Sequence, residues 1–518
     1  MKLIILHYHL RPGGVRRIIE LATPFLVAHS REPLTQVVMA TGEAAPGTWH
    51  QAFANSLHPV PVEVFVEPCF LYCSEQHDPA RLVVDRIRIA VQNLLEGECL
   101  ALWMHNPGVG RNLLLAREAA KACARYRVPL IAHHHDWWFD NRWLRWKEIQ
   151  KSGFPALSAA AKAVFPTTGQ PVHAVINQAD GRILGGRCGP RTAWLPNLTD
   201  RAALPSKRQM SDARRWLEDR LALKEGLFWL VPCRTLRRKN LAEALLLTRW
   251  LRPEAWLLVT GAASSEDEAP YAQALIRATA THGWRMRLGV LAGKDPRRPK
   301  VATLLGACEA VLFTSIQEGF GLPYLEAAAS GRPLIARRLP NIMPDLTRFG
   351  FRFPQGYDEV LIAPELFDWG TERKRQDRAF REWRALMPAR ARNLAADPPL
   401  LASPLPQPLA FSRLTLAAQL EVLAKPAEET WAAGLQLNPF LGTWRRRAAT
   451  NSLRVPAWPI QSERWLGGDA YARRFYDAVA LASRPACQPV PAADLQADFI
   501  RDRLAAKNLY PLLWPSHE

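Results

Sequence analysis

Apolar, β-branched stretches of strand length recur through most of the first three quarters of the chain, separated by longer amphipathic segments. One series covers residues 2–8, 35–41, 62–66, 101–105, 129–133, 163–167 and 192–195, and a second covers 227–233, 255–261, 286–291, 310–315 and 333–336. Alternation of this kind predicts parallel sheets joined by crossover helices, an α/β class with two Rossmann-like domains. A polar stretch at 200–224, carrying Lys207, Arg208, Arg214 and Arg215, separates the two series. The expected division is therefore a Rossmann-like domain at 1–200, a second at 201–350, an irregular Arg- and Pro-rich extension at 351–465, and a helix with its tail at 466–518. Tyr471, Phe475 and Val479 share one face of that last helix. No repeat period is present, which argues against solenoids and propellers.

Length and composition narrow the class. The 518 residues exceed one small core, and 48% hydrophobic with 22% charged residues is ordinary for a globular protein. The longest apolar runs are strand-sized, far short of a membrane span. His7, His9 and Arg11 follow the first run too soon for the apolar core of a secretory signal, so a cytoplasmic location is expected. A formal charge of +19 attracts polyanions without choosing among them. Peripheral contact with an anionic inner-membrane surface fits it, and no nucleic-acid partner is expected. Eight cysteines, Cys69, Cys73, Cys99, Cys123, Cys188, Cys233, Cys308 and Cys487, are scattered as buried reduced thiols would be. Cys69 and Cys73 have no second half to complete a zinc site.

The densest candidate chemistry lies at 313–326, Phe-Thr-Ser-Ile-Gln-Glu-Gly-Phe-Gly-Leu-Pro-Tyr-Leu-Glu. A strand ends near Ser315, a glycine-bearing loop follows, and Pro323 suits the start of a helix whose free amides can face an anion. Glu318 on the loop and Glu326 on the helix can each accept hydrogen bonds from sugar hydroxyls; equally, they can be a loop acceptor and a surface residue. Upstream, Arg234 and Lys239 leave a strand five positions apart and could neutralise a diphosphate, against the alternative of an exposed basic helix start. Gly13 and Gly14 precede a helix and permit close backbone approach.

Another strand runs into His133, His134, His135 and Asp136, then Trp137 and Trp138. These histidines can contact substrate, be structural, or form a metal-ligand set with His7 and His9; the tryptophans suit core packing better than sugar stacking. No Asp-x-Asp triplet occurs, so the usual carboxylate clamp for a metal-bound nucleotide diphosphate is missing.

In this order the motifs resemble the GT-B glycosyltransferase family 4 of retaining enzymes. They are Pro-Gly-Gly-Val at 12–15, His135-Asp136, Trp-Leu-Pro-Asn-Leu-Thr-Asp at 194–200, Arg234 with Lys239, and Glu318 to Glu326. The resemblance covers roughly residues 1–345 and returns faintly at 470–479, which implies that the helix and tail at 466–518 return to the first domain. It implies two Rossmann-like domains facing across a cleft. It also implies transfer of a hexose-type sugar, with retention and without a metal or other cofactor, from a nucleotide diphosphate sugar to an acceptor left unnamed. Glu318 would then hold the donor sugar, with Gly319, Phe320, Gly321 and Leu322 giving backbone contacts. Glu326 would bind ribose, Arg234 and Lys239 the diphosphate, and Gly14, beside Gly13, the phosphate side of the first loop. His135, or else His134, would face the reaction centre. Leu198 departs from the family's usual glycine, and 350–465 has no matching motif.

Three rivals remain. The first is a metal-dependent hydrolase built on His7, His9 and His133–His135 in a barrel. The second is a non-catalytic transferase-like protein that binds through the Arg-rich segment 372–392, with Phe380, Trp383 and Met387 on one face. The third is a sugar-nucleotide epimerase of the same architecture.

Overall fold

A computed structural model describes the chain except residues 77–79, 169–170, 200–203, 224, 264, 486–488 and 515–518. Asp200, Lys224 and Cys487 therefore lie outside the described residues. The chain forms two compact units. One comprises Met1–Asp200, Ala385–Ala395 and Gln461–Leu504; the other comprises Arg201–Arg384, Ala396–Ile460 and Ala505–Glu518.

The first unit holds seven strands: β1 (Lys2–Leu6), β2 (Gln36–Thr41), β3 (Val62–Val66), β4 (Cys99–His105), β5 (Leu130–His134), β6 (Val172–Val175) and β7 (Thr192–Trp194). They pair in parallel in the order β3-β2-β1-β4-β5-β6-β7. Helices cover both faces of such a sheet, which is why Leu3 to Leu6 in β1 form an unbroken run of fully buried residues. The strand order reverses between β1 and β4, so the connections on either side of that point leave in opposite directions. In open α/β sheets, ligands bind beyond the carboxyl ends of the strands at such a reversal.

Residues 163–167, expected as a strand, instead end the Leu157–Val164 helix, which buries Ala160, Ala161, Ala163 and Val164. A short apolar run does not by its period distinguish a buried helix from a strand, and alanine favours the helix. The Gly468–Ala482 helix packs on the first unit's core with Tyr471, Phe475 and Val479 buried; the Phe475 ring lies 5.2 Å from that of Trp103.

The second unit repeats the theme with β8 (Phe228–Thr235), β9 (Trp256–Ala263), β10 (Met286–Arg287), β11 (Ala310–Phe313), β12 (Leu334–Arg337) and β13 (Gln355–Tyr357). The order is β10-β9-β8-β11-β12-β13, again parallel, with the reversal between β8 and β11.

The extension, expected to be irregular, is largely helical: Trp369–Ala385, Leu416–Ala424, Ala427–Leu437 and Phe440–Ala449. Its prolines explain the discrepancy. Pro398, Pro426 and Pro439 occupy N-cap positions, where the missing N–H has no intrahelical partner to lose, so they start helices rather than break them. The Arg-rich helix turns Phe380 and Trp383 onto Trp514 of its own unit, with ring centroids 5.2 and 5.7 Å away. That apolar face, which motivated the binding-protein rival, is occupied. Among the described residues no helix is long and apolar enough to cross a membrane.

Candidate active site

The second unit gathers its candidate residues at the β8/β11 reversal. The chain leaves β8 through a single 3-10 turn, Arg237–Lys239, and then Asn240 adopts a left-handed conformation (φ 50°). Asparagine tolerates that region because its amide can bond locally, and here Nδ2 donates to Glu243 Oε2 at 2.9 Å. The Thr314 hydroxyl, at the end of β11, donates to the Lys239 carbonyl at 2.9 Å and ties the two loops together.

Between those loops sits Glu318. Arg238 Nη1 approaches its Oε2 at 2.6 Å, and the Lys239 ammonium bonds its Oε1. The Asn341 amide donates to the Glu318 carbonyl at 2.8 Å. Burial alone would raise the Glu318 carboxyl, but the charges and hydrogen bonds of Arg238 and Lys239 overcome it and hold the pKa down to about 2.

A depressed folded-state pKa makes the ionised carboxylate a source of stability above its ordinary value of 4.5, and that stability is lost as pH falls toward about 2. Denaturant unfolding of the native chain and Glu318→Gln should show the native chain more stable at neutral pH, with the gap closing through that acid window. A gap independent of pH would mean Glu318 is not the charged member of this cluster.

Gly321 has φ 84° and caps the Leu322–Ala329 helix; a Cβ there would lie 2.8 Å from the Tyr324 ring, so both backbone and packing require glycine. Leu322 opens the helix and Pro323 takes its second position, while Phe320 is buried beneath the loop. Glu326 is exposed on this helix. The dense protein around its base raises its pKa by desolvation, and Lys239 acts in the opposite sense. Arg234, exposed at the end of β8, has no ion-pair partner among the described residues. Gly261 on β9 lets the strands meet there, since a Cβ would lie 3.0 Å from the Arg234 Cα.

The pairing therefore differs from the expected one. Lys239 is committed to Glu318, Arg234 is the cation left open, and Arg238 is Glu318's second partner. In the sequence Arg238 is one of three consecutive basic residues, and nothing local separates it from Arg237.

In the first unit Gly14 starts the Gly14–Ala28 helix, and Gly13, extended at φ 179°, is its N-cap. No protein atom lies within 4 Å of a Cβ built on Gly14, so the chain's own packing does not demand glycine there.

The histidines form two sets. His105 and His133 are register partners on β4 and β5, and His135 lies two residues past His133, on the same face by strand alternation. His105 Nδ1 and His135 Nε2 are 3.1 Å apart, and the His133 and His135 rings 4.3 Å. His7, just past β1, adds a fourth ring 6.1 Å from that of His105. Burial lowers the pKa of His7 to about 3 and of His135 to about 4, so both are neutral at neutral pH. His134 points to the opposite face, hydrogen-bonded to His173 Nδ1 at 3.0 Å and stacked on Trp137. Trp137 and Trp138 are buried and pack in the core.

The metal-ligand set of the hydrolase rival changes accordingly. His105, His133 and His135 offer nitrogens within 4.8 Å of one another, whereas His9 bonds the Tyr72 hydroxyl at 2.9 Å. The barrel that this rival presupposes is absent, because β1–β7 form an open sheet.

Two Rossmann-like domains, each with polar side chains assembled at its strand-order reversal, define the GT-B class of fold. Comparison with known proteins points the same way. Residues 216–356 match the model of the family described as Glycosyl transferases group 1. The mannosylglucosyl-3-phosphoglycerate synthase of Petrotoga mobilis is 26% identical over 270 residues, half of each protein, so the chain spans about half the length of this curated relative. A glycosyltransferase from Rickettsia africae superposes with a TM-score of 0.50 at 10% identity, covering 94% of this chain and 99% of that one. HepE of Anabaena, solved with UDP-glucose, aligns at 19% identity over 67% of this chain and 82% of its own, with a TM-score of 0.45.

Proposed function

We propose that this chain is a retaining glycosyltransferase that takes its sugar from a nucleotide diphosphate donor without a metal at the diphosphate. The observation that carries the reading is Glu318 held between Arg238 and Lys239 at the β8/β11 reversal, inside the segment that matches the group 1 family model. An ionised carboxylate fixed by two cations accepts hydrogen bonds from donor-sugar hydroxyls without having to reorganise, and electrostatic preorganisation of this kind is usually the largest single contribution to catalysis. Glu326, about one turn into the following helix, is assigned the ribose hydroxyls.

Leaving-group charge falls to Arg234, Lys239 and the amides from Gly319 to Leu322. Arg234 grips a phosphate through two N–H groups, and Lys239 can shift from Glu318 toward the developing negative charge. In the first domain, the open space at Gly14, beside Gly13, leaves room for an anionic group. His135, neutral and half-buried, is assigned to the reacting centre; His134 faces the wrong side of the sheet and is left as a packing residue.

A panel of nucleotide diphosphate sugars, screened by thermal shift and slow donor hydrolysis with and without chelator, tests the reading. One donor should stabilise the protein and be hydrolysed equally in chelator, and NMR of the transfer product should show the donor's anomeric configuration. Strict dependence on added divalent metal, or inversion at the anomeric carbon, would reject it.

A further inference from the structure

The first unit contains a second group of cations that the donor site does not use. Arg111 follows β4, and Arg142 and Arg145 follow β5, the last opening a short helix, so all three lie beyond the carboxyl ends of adjacent strands. Arg145 crosses from one loop to the other, its Nη1 donating to the Val109 carbonyl at 2.7 Å, two residues before Arg111. Arg142 is tied to Arg145 through the backbone, the Arg145 amide donating to the Arg142 carbonyl at 3.0 Å. The Arg111 guanidinium lies over the Tyr72 ring, 5.1 Å from its centroid, and reaches toward Glu148 on the helix that Arg145 begins. The three guanidinium groups lie close enough that Arg142 and Arg111 act electrostatically on Arg145, and Arg111 and Arg145 act likewise on Tyr72.

Their counter-charges are incomplete. Arg142 has Asp136 at 3.4 Å and Arg111 has Glu148 at 3.5 Å, both longer than a close charge-assisted hydrogen bond. Arg145, half-buried, has no ion pair among the described residues. Of the five N–H donors on this half-buried guanidinium, only Nη1 has a protein acceptor among the described residues, which leaves the others open to a ligand. The consequence appears in its proton affinity: burial, and then the charges of Arg142 and Arg111, outweigh Asp136 and Glu148 and lower the Arg145 pKa to about 9. An anion at this point would supply both the missing charge and the missing acceptors.

We infer that Arg111, Arg142 and Arg145 form a binding site for a phosphomonoester group on the acceptor, so that the sugar is transferred to a phosphorylated molecule. The substrate assignment rests on the transferase reading; the anion site itself does not. Three planar donors match the three oxygens of a phosphomonoester dianion better than they match a neutral polyol or a growing neutral glycan.

Inorganic phosphate is the first probe, titrated calorimetrically into the native chain, Arg145→Met, Arg145→Lys and Lys239→Ala. The inference expects phosphate binding that weakens at least tenfold in Arg145→Met, weakens less in Arg145→Lys, and persists in Lys239→Ala. Circular dichroism and thermal unfolding establish that each variant is folded, and Arg142→Gln, on a more exposed side chain, repeats the test if Arg145→Met fails to fold. Equal phosphate affinity in the native chain, Arg145→Met and Arg142→Gln overturns the inference, as does the absence of phosphate binding to the native chain. Glycerol 3-phosphate and vesicles containing phosphatidic acid then separate a soluble acceptor from a lipid one: the productive source should raise donor turnover, and glycerol should not. Turnover stimulated equally by glycerol and glycerol 3-phosphate also overturns the substrate assignment. If no nucleotide sugar is ever turned over, the transferase reading fails while the phosphate titration still decides the anion site.

Discussion

Lys239→Ala should lower sugar-transfer turnover by about a hundredfold, the usual cost of removing one preorganised electrostatic donor from a reacting centre. Lys239 has two tasks in the proposed site: it holds the Glu318 carboxylate in place, and it supplies a point charge within reach of the departing diphosphate. Its removal therefore damages sugar positioning and leaving-group stabilisation together, and both turnover and donor affinity should fall. Glu318→Ala should be at least as severe, because it also leaves the buried Lys239 without its carboxylate partner. Steady-state kinetics with the donor found by the screen, alongside thermal unfolding, separates catalytic loss from misfolding. A Lys239→Ala protein with native turnover and native donor affinity would remove the diphosphate assignment.

The largest effect on stability should come from Arg337→Met. Arg337 on β12 places Nη2 2.6 Å from both carboxylate oxygens of Glu243, with both side chains essentially inaccessible, and its Nη1 also bonds Glu359. The Tyr357 hydroxyl donates to the same Glu243 at 2.6 Å. Removing the cation strands a buried carboxylate, which typically costs about 3–5 kcal/mol, whereas replacing both members by apolar residues is far milder. Denaturant unfolding should thus show Arg337→Met strongly destabilised and Arg337→Met with Glu243→Leu partly recovered. A single variant as stable as the native chain would mean that water reaches the pair. Glu243 also accepts from Asn240, whose left-handed turn aims Lys239, so a loss of donor affinity should accompany the loss of stability.

The alternation of short apolar runs with amphipathic segments was enough to specify two parallel sheets, because a strand buried on both faces must be continuously apolar and a crossover helix must be half polar. The glycine loop before Pro323 was equally legible. At position 321, φ 84° and the Tyr324 ring against the site of any Cβ both require glycine, and that local requirement marks the loop that carries Glu318. Other features had no local signature. The positions of the strand-order reversals depend on which strands pair across the chain, and they decide that the loops after β8 and β11 meet.

Arg238 and Arg237 are adjacent and chemically identical, and only the fold turns Arg238 toward Glu318. His134 and His135 differ by one position, yet strand alternation sends one into the core and leaves the other at the edge. His105, thirty residues from His135, joined the histidine group only through the β4–β5 register. Local periodicity determines which segments are strands and helices, because it reflects what each must bury. Which side chains share a site is decided by long-range pairing, which brings together residues whose separation in sequence carries no information about their separation in space.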